Sequence, residues 1–342
     1  MPRQARIDAP GALHHIIIRG IERTLIFADD RDRETFLERL SNLLTETQTP
    51  CYAWALMSNH AHLLLRTGSV AIASLMRRLL TGYAVSFNRR HRRHGHLFQN
   101  RYKSILCEED RYLRQLVAYI HLNPLRAGVV ADVAALSAYP FTGHSVLMGR
   151  GVRSWQDTAY VLALFGRSVS AARRNLQRHV MKWSTRGRCP ELTGGGLIRS
   201  SGGGWSAVKD AYRDGIRLAG DERLLGSSDF VESTLKRAGE AYERRLRLQS
   251  AGMGLSEVID AVCRCFGIDE KALTRPTKQT TIAHARGLIG YLATRELSIP
   301  GSEVAHRFNQ DRSAVSRAAQ RVGNDAQLMK TARKILEQLR PK

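Results

Sequence analysis

Hydrophobic positions in the first third of the chain recur with two alternating periods, one typical of strands and one typical of helices. The periods predict, in order, strand 14–20, helix 30–45, strands 51–57 and 60–66, helix 70–90, strand 95–106 and helix 108–123. The β-α-β-β-α-β-α order is that of a split β-α-β unit, so we expect an α+β fold with a ferredoxin-like antiparallel sheet.

The rest of the chain shows a different pattern. Glycine-rich pieces near 193 and 200 indicate flexible connections between short helices. Helical periodicity returns from Leu255, and 302–322 has the spacing of a helix, a short turn and a second helix. We therefore predict an α+β domain over 1–145, a helical and flexible connector over 146–250, and an all-α helix-turn-helix domain over 251–342.

The amino-acid composition indicates what kind of partner the protein binds. The 342 residues contain 53 Lys and Arg against 31 Asp and Glu, a net charge of +22, and so large an excess is typical of proteins that bind nucleic acid. No apolar run approaches the roughly 18 residues of a membrane-spanning helix, and the N-terminus lacks a signal peptide. We expect a cytoplasmic, nucleoid-associated protein whose five scattered cysteines stay reduced.

Two pairs of residues carry candidate chemistry. His60 and His62 lie two apart on a predicted strand, so both imidazoles face the same side. Tyr119 and Asn123 lie four apart on a predicted helix and share a face. Surface histidines, a core tyrosine and an asparagine that ends a helix before Pro124 would give the same spacings, so these alternatives stay open.

If the two pairs meet, they form a site for metal-assisted attack. Two imidazoles and one amide oxygen leave positions for water and phosphate oxygens, which suits Mg²⁺ or Mn²⁺ acting as a Lewis acid. Tyr119 would then be the nucleophile, and His60, His62 and Asn123 would be the metal ligands.

Three segments in this order and spacing resemble the single-tyrosine HUH transposases, especially the REP-associated tyrosine transposases. They are 57–65 (MSNHAHLLL), 95–104 (GHLFQNRYKS) and 119–129 (YIHLNPLRAGV), within a similarity that covers about 5–145. The resemblance implies the HUH endonuclease fold, with His60 and His62 as the metal pair, Tyr119 as nucleophile and Asn123 as third ligand. Ala61 departs from the bulky middle residue of the family, which leaves the ligand positions unchanged.

The same resemblance implies a reaction and a substrate. The family cleaves single-stranded DNA at imperfect hairpins, commonly as a dimer, and forms a 5′-phosphotyrosine and a free 3′-OH. Rejoining needs no ATP, and the sequence has no phosphate-binding loop of the G-x-x-x-x-G-K-[ST] type. The residues expected to contact DNA phosphates around the site are Arg19, Arg89, Arg90, Arg92, Arg93, Arg101 and Lys103.

The C-terminal segment resembles the duplex-binding helix-turn-helix domain of the bacterial initiator DnaA, on 258–273 (VIDAVCRCFGIDEKAL), 285–292 (ARGLIGYL) and 311–317 (DRSAVSR). The resemblance implies that Asp311, Arg312 and Ser313 face base edges in the major groove and that Lys278 approaches the minor groove. Arg312 replaces the usual histidine, so the initiator's own target sequence is not expected.

Three functions fit the sequence. The first is a metal-dependent transposase or nickase, steered by a duplex-binding domain. The second is a non-catalytic DNA-binding regulator derived from a transposase. The third is a nuclease on the same sheet, acting on RNA or as a toxin, whose nucleophile is water and which leaves no covalent adduct. Because His60, His62, Tyr119 and Asn123 are all present, the sequence favours the first.

Overall fold

A computed structural model describes residues 7–9, 11–187, 189, 192, 209–210, 212–214, 219–250, 253–275, 279–297 and 299–339, of which 240–250, 312 and 313 by backbone alone. The chain divides into two compact units, 1–234 and 235–342. The first unit thus includes the described residues of the predicted connector up to 234, and residues 235–250 belong to the second unit. The domain boundaries at 145 and 251 stay predictions.

The first unit is built on one sheet with strand order β2-β3-β1-β4-β5. The strands are β1 Leu13–Arg19, β2 Cys51–Leu56, β3 His60–Arg66, β4 Lys103–Cys107 and β5 Leu224–Leu225. Strands β1 to β4 pair antiparallel, which confirms the predicted α+β, ferredoxin-like arrangement.

Helices cover both faces of this sheet. The helices of the first unit are α1 Asp30–Glu46, α2 Ile72–Arg90, α3 Glu109–His121, α4 Asn123–Arg126, α5 Val133–Ala138, α6 Gly143–Leu147, α7 Thr158–Ala163, α8 Val169–Ser184 and the start of α9 Ser228–Ser250, within which the unit ends. Alternation along β1 sends Ile16 and Ile18 into a core with α1 and α2. Its other face, with Leu13 and Ile17, packs toward α3 and α8.

The loop before β4 differs from the sequence prediction. A strand was expected over 95–106, but only Lys103–Cys107 is a strand. Gly95 and Asn100 adopt left-handed backbone conformations, with φ of 88° and 54°, which interrupt an extended chain. The loop instead follows the end of β1, where the amide of Gln99 donates to the carbonyl of Arg19 (2.8 Å). Side chains of this loop therefore lie beside the β1 terminus.

Strand β5 was not predicted. It pairs parallel with β4, in the register Leu106 with Leu224. The amide of Leu106 donates to the carbonyl of Arg223 (2.8 Å), and the amide of Glu108 donates to that of Leu225 (2.7 Å). Leu225 is fully buried in the core that contains α3.

The second unit is helical where it is described. Its helices after α9 are α10 Leu255–Phe266, α11 Glu270–Thr274, α12 Thr280–Tyr291, a π-helical turn Leu292–Glu296, α13 Gly301–Arg307, α14 Arg312–Gly323 and α15 Ala326–Gln338. Helices α13 and α14 confirm the predicted helix-turn-helix. Gly287 lets α12 approach α14 closely, because a Cβ there would lie 3.0 Å from Val322. No described helix of either unit is both long enough and apolar enough to cross a membrane.

Candidate active site

A cleft of about 390 Å³ lies in the first unit, between the α3-facing side of the sheet and the end of α3. His60, His62, Tyr119 and Asn123 all line it. Strand alternation points both histidines of β3 to this side, and helical spacing puts Tyr119 and Asn123 on one side of the chain opposite them. The two candidate pairs therefore meet in one cleft.

His60 is oriented by its neighbour Asn59. The Nδ1–H of His60 donates to Asn59 Oδ1 (2.7 Å), and the amide group of Asn59 donates to the carbonyl of Arg23 (3.2 Å), which fixes the asparagine's orientation. Burial, assisted by the charge of Arg19, lowers the pKa of His60 to about 4. The ring is thus neutral at pH 7, with its lone pair on Nε2.

His62 is held by a residue that the sequence analysis did not select. It is buried, and its Nδ1 lies 2.8 Å from Nε2 of His15. The two rings are stacked, with centroids 5.1 Å apart and planes 25° apart. Burial, followed by the nearby charges of His15 and His60, lowers the pKa of His62 well below its usual value. His62 is therefore also neutral.

Tyr119 is half-buried against both of these rings. Its ring centroid lies 6.2 Å from that of His62 and 6.0 Å from that of His15. The guanidinium of Arg126 lies 5.1 Å from the Tyr119 ring centroid, on its face. Burial raises the pKa of Tyr119, and the charge of Arg126 opposes that rise. By contrast, Tyr112, the other tyrosine of α3, is 2% exposed and belongs to the core.

Asn123 has one side of its amide occupied. Its NH₂ group donates to the carbonyls of Tyr119 (2.9 Å) and Ile120 (3.1 Å). These bonds fix the side chain against the last turn of α3 and leave the amide oxygen to accept a hydrogen bond or to coordinate a cation.

The predicted basic residues fall into two groups. Arg19, Arg101 and Lys103 are exposed and line the cleft. The four arginines at the end of α2 are not among the described residues that line it: Arg89, Arg90, Arg92 and Arg93. Of these, Arg90 donates to the carboxylates of Asp29 and Asp32, an arrangement that ties α2 to the start of α1.

The donor set of the cleft is small. Within the described ranges, no three His, Cys, Asp or Glu side chains come together in a group that could hold a metal ion. The cleft offers two imidazoles and one amide oxygen instead. His15, Asn59 and Arg126 also contact the selected residues but were not predicted from the sequence. Their only signal in the sequence is their position. Asn59 is next to His60, His15 is at strand spacing from Arg19, and Arg126 is at helical spacing from Tyr119.

One segment of each unit matches a known protein family. Residues 10–123 match the family described as transposase IS200 like. The first unit thus contains a domain similar to the IS200-like transposases, below called the transposase domain. Residues 255–322 match the helix-turn-helix family of the bacterial DnaA protein, so the second unit contains a domain similar to it, below called the DnaA-type domain. No curated protein matches the chain.

A solved structure of a REP-associated tyrosine transposase bound to a REP hairpin is also similar to the chain. The two sequences are 16% identical, the match covers 46% of this chain and 90% of that chain, and the TM-score is 0.38.

A second histidine pair lies in the first unit and does not line the cleft. His121 and His144 are fully buried, with ring centroids 5.7 Å apart. Neither ring nitrogen of His121 has a hydrogen-bond partner among the described residues. Burial lowers the pKa of His144 to about 4, and burial together with the charge of His144 lowers that of His121 well below its usual value.

The DnaA-type domain presents part of its predicted site. Asp311 is exposed directly before α14. Arg312 and Ser313 begin α14, but their side chains lie outside the description, as does the whole of Lys278. Their assignment to duplex DNA stays a prediction.

Proposed function

We propose that the protein is a metal-dependent DNA transposase or nickase that cleaves and rejoins single-stranded hairpin DNA through a 5′-phosphotyrosine. The observation that carries this proposal is the meeting of Tyr119 with His60, His62 and Asn123 in one cleft of an IS200-like transposase domain. The match to the DnaA family supports a separate contact with duplex DNA. The proposal includes a homodimer that acts at the nucleoid.

The chemistry assigned to Tyr119 is a transfer between two phosphodiesters. The phenol gives up its proton to water, its oxygen attacks a backbone phosphorus, and the bond from that phosphorus to the 3′ oxygen breaks. The 3′ oxygen then takes up a proton from water. The 5′ end stays on Tyr119 as a phosphodiester, so attack by a 3′-OH reverses the step without ATP. Arg126, over the Tyr119 ring, favours the phenolate form that attacks.

The residues of the cleft fit a divalent cation. The hydrogen bond at Nδ1 leaves the Nε2 of His60 to act as a ligand. His15 occupies the Nδ1 of His62, so Nε2 is the nitrogen of His62 that faces a metal ion in this proposal, and Asn123 contributes its amide oxygen. Mg²⁺ or Mn²⁺ bound there would act as a Lewis acid on the scissile phosphate. Because three protein ligands leave an open coordination shell, phosphate oxygens of the substrate and water would complete it.

The positive rim of the cleft supports a single strand as substrate. Arg19, Arg101 and Lys103 place three exposed cations beside the candidate ligands, and each can contact a phosphate on either side of the scissile bond. An unpaired strand can bend into such a cleft, whereas a rigid duplex cannot.

One gel tests the proposal. Labelled hairpin oligonucleotides are incubated with the full-length protein and Mn²⁺ and separated under denaturing conditions. We expect a protein–DNA adduct with the wild type and with Tyr112→Phe, the matched control in the core of the same helix, and none with Tyr119→Phe. Hairpin binding without cleavage by the wild type would favour the regulator instead. Cleavage without adduct would favour a nuclease that uses water.

A further inference from the structure

We propose that His15 is a positioning residue that fixes the proton of His62 on Nδ1, so that Nε2 of His62 carries the lone pair available to a metal ion. This inference rests on the proposed metal role of His60 and His62, and it concerns a residue outside the predicted ligand set. His15 contacts a ligand and the nucleophile without being either.

The sheet places His15 for this role. Strand β1 is paired on both sides, to β3 and to β4, so its backbone is fixed. Ile17 of β1 is opposite His62 in the register. His15, two positions away on the same face, is the diagonal neighbour of His62, a relation within reach of long side chains. The 2.8 Å bond between the two rings results from this register.

The direction of that bond decides whether His62 can be a ligand. A neutral imidazole, the form in which histidine binds a metal ion, has one N–H and one lone pair. If His62 Nδ1–H donates to His15 Nε2, the lone pair of His62 is on Nε2. If His15 donates, the proton of His62 is on Nε2, and that nitrogen cannot coordinate a cation. Only the first direction lets both histidines of β3 serve the proposed function.

The hydrogen bond between His60 and Asn59 is of the same kind, but its donor is unambiguous. Asn59 Oδ1 can only accept, so His60 must carry its proton on Nδ1. We infer that His15 does for His62 what Asn59 does for His60. The two orienting residues differ in solvent exposure, since His15 is 2% exposed while Asn59 is partly exposed. Water cannot easily replace His15 as the acceptor.

The first test reads the proton directly in the metal-free, wild-type protein. Nitrogen-15 NMR of histidine-labelled protein distinguishes the two tautomers, and the His62 signal is assigned by its loss in His62→Gln. We expect His62 protonated on Nδ1. A His62 that carries its proton on Nε2 overturns the inference, and this outcome does not depend on the folding of any His15 variant.

The second test compares two His15 variants by their affinity for Mn²⁺, measured in the full-length protein by the electron paramagnetic resonance of free Mn²⁺. His15→Phe keeps a stacked ring but removes the acceptor, and we expect affinity to fall by about 10- to 100-fold, the usual cost of losing such a support. His15→Gln keeps an acceptor oxygen and should restore affinity close to that of the wild type.

His62→Ala separates the two proposals. If it binds Mn²⁺ as tightly as the wild type, the proposed metal role fails, and the inference about His15 fails with it. If His62→Ala loses Mn²⁺ while His15→Phe binds normally, only the inference about His15 is wrong. If His15→Gln is as weak as His15→Phe, the acceptor is not what matters, and the inference is again overturned.

Discussion

Helix α3 separates two histidine clusters that burial affects in the same way. Burial lowers the pKa of His62 on the cleft side and of His121 and His144 on the other side. The clusters differ in where the ring nitrogens go. In the cleft, His62 is held at Nδ1 by His15, whereas neither ring nitrogen of His121 has a hydrogen-bond partner among the described residues. A low histidine pKa therefore indicates only that the ring is buried. A fixed ring orientation, with one nitrogen facing a cleft, is what indicates a functional site.

The largest expected effect is on DNA cleavage, which should depend on the histidines of the cleft and not on His121 and His144. The double variant His60→Ala, His62→Ala should lose cleavage and adduct entirely, because one amide oxygen cannot hold a weakly bound divalent cation. A chelator should have the same effect on the wild type. His144→Gln, in the other cluster, should cleave normally at pH 7.5. The measurement is the adduct gel with Mn²⁺, and full cleavage by the double variant in chelator would remove the metal from the mechanism.

The next effect concerns stability and pH. His144 has a folded-state pKa of about 4 against an ordinary value of 6.5, so the unfolded chain binds more protons below pH 6.5. Stability from this group is therefore complete above that pH and is lost as the pH falls. The loss for His144 alone is about 2 kcal/mol between pH 7 and pH 5.

Denaturant unfolding followed by tryptophan fluorescence measures this loss, because all four tryptophans lie in residues 1–234. The variant His144→Gln should unfold with a pH dependence that is shallower by about the same 2 kcal/mol. An unchanged pH dependence would show that His144 is not kept neutral by its surroundings.

A smaller effect is expected on the nucleophile. Arg126→Ala removes the cation over the ring of Tyr119, a contact worth about 0.5–2 kcal/mol, so single-turnover cleavage should slow by about 2- to 30-fold. The pKa of Tyr119 should rise further, which shifts the rising limb of the rate to higher pH. Arg126→Lys keeps the charge and serves as control. A rate that both variants leave unchanged would exclude Arg126 from the activation of Tyr119.

The smallest effect on hairpin cleavage is expected from removal of the DnaA-type domain. Deletion of residues 251–342 should leave hairpin cleavage unchanged and remove specific binding to duplex DNA, since the two activities are assigned to different units. Titrations of a hairpin strand and of a selected duplex, with intact and truncated protein, provide the comparison. A truncated protein that keeps duplex specificity but cannot cleave a hairpin would reverse the assignment.

The residues of the candidate site could be predicted from the sequence because each pair is close together in the chain. A period of two places His60 and His62 on one face of a strand, and a spacing of four places Tyr119 and Asn123 on one face of the chain. Both pairs line the same cleft. The order of strands and helices was predictable for the same reason.

Contacts between distant segments were not accessible in this way. His14 and His15 are adjacent on β1, so one must face each side, but alternation does not tell which. His14 contacts Asp8 and Ser104, and His15 contacts His62. Likewise, a run of arginines cannot show that Arg90 is engaged by Asp29. The pairing of β5 depends on two leucines without any local pattern.

The late position of β5 in the chain has a consequence for synthesis. Strand β4 is an edge strand until Leu224 and Leu225 leave the ribosome, and its unpaired amides are a template for association with other chains in that interval. Pairing β4 with β5 joins residues that are far apart in the sequence, a non-local step that slows folding. We expect nascent chains that stop short of β5 to aggregate, and a chaperone that covers the β4 edge to raise the yield of the transposase domain.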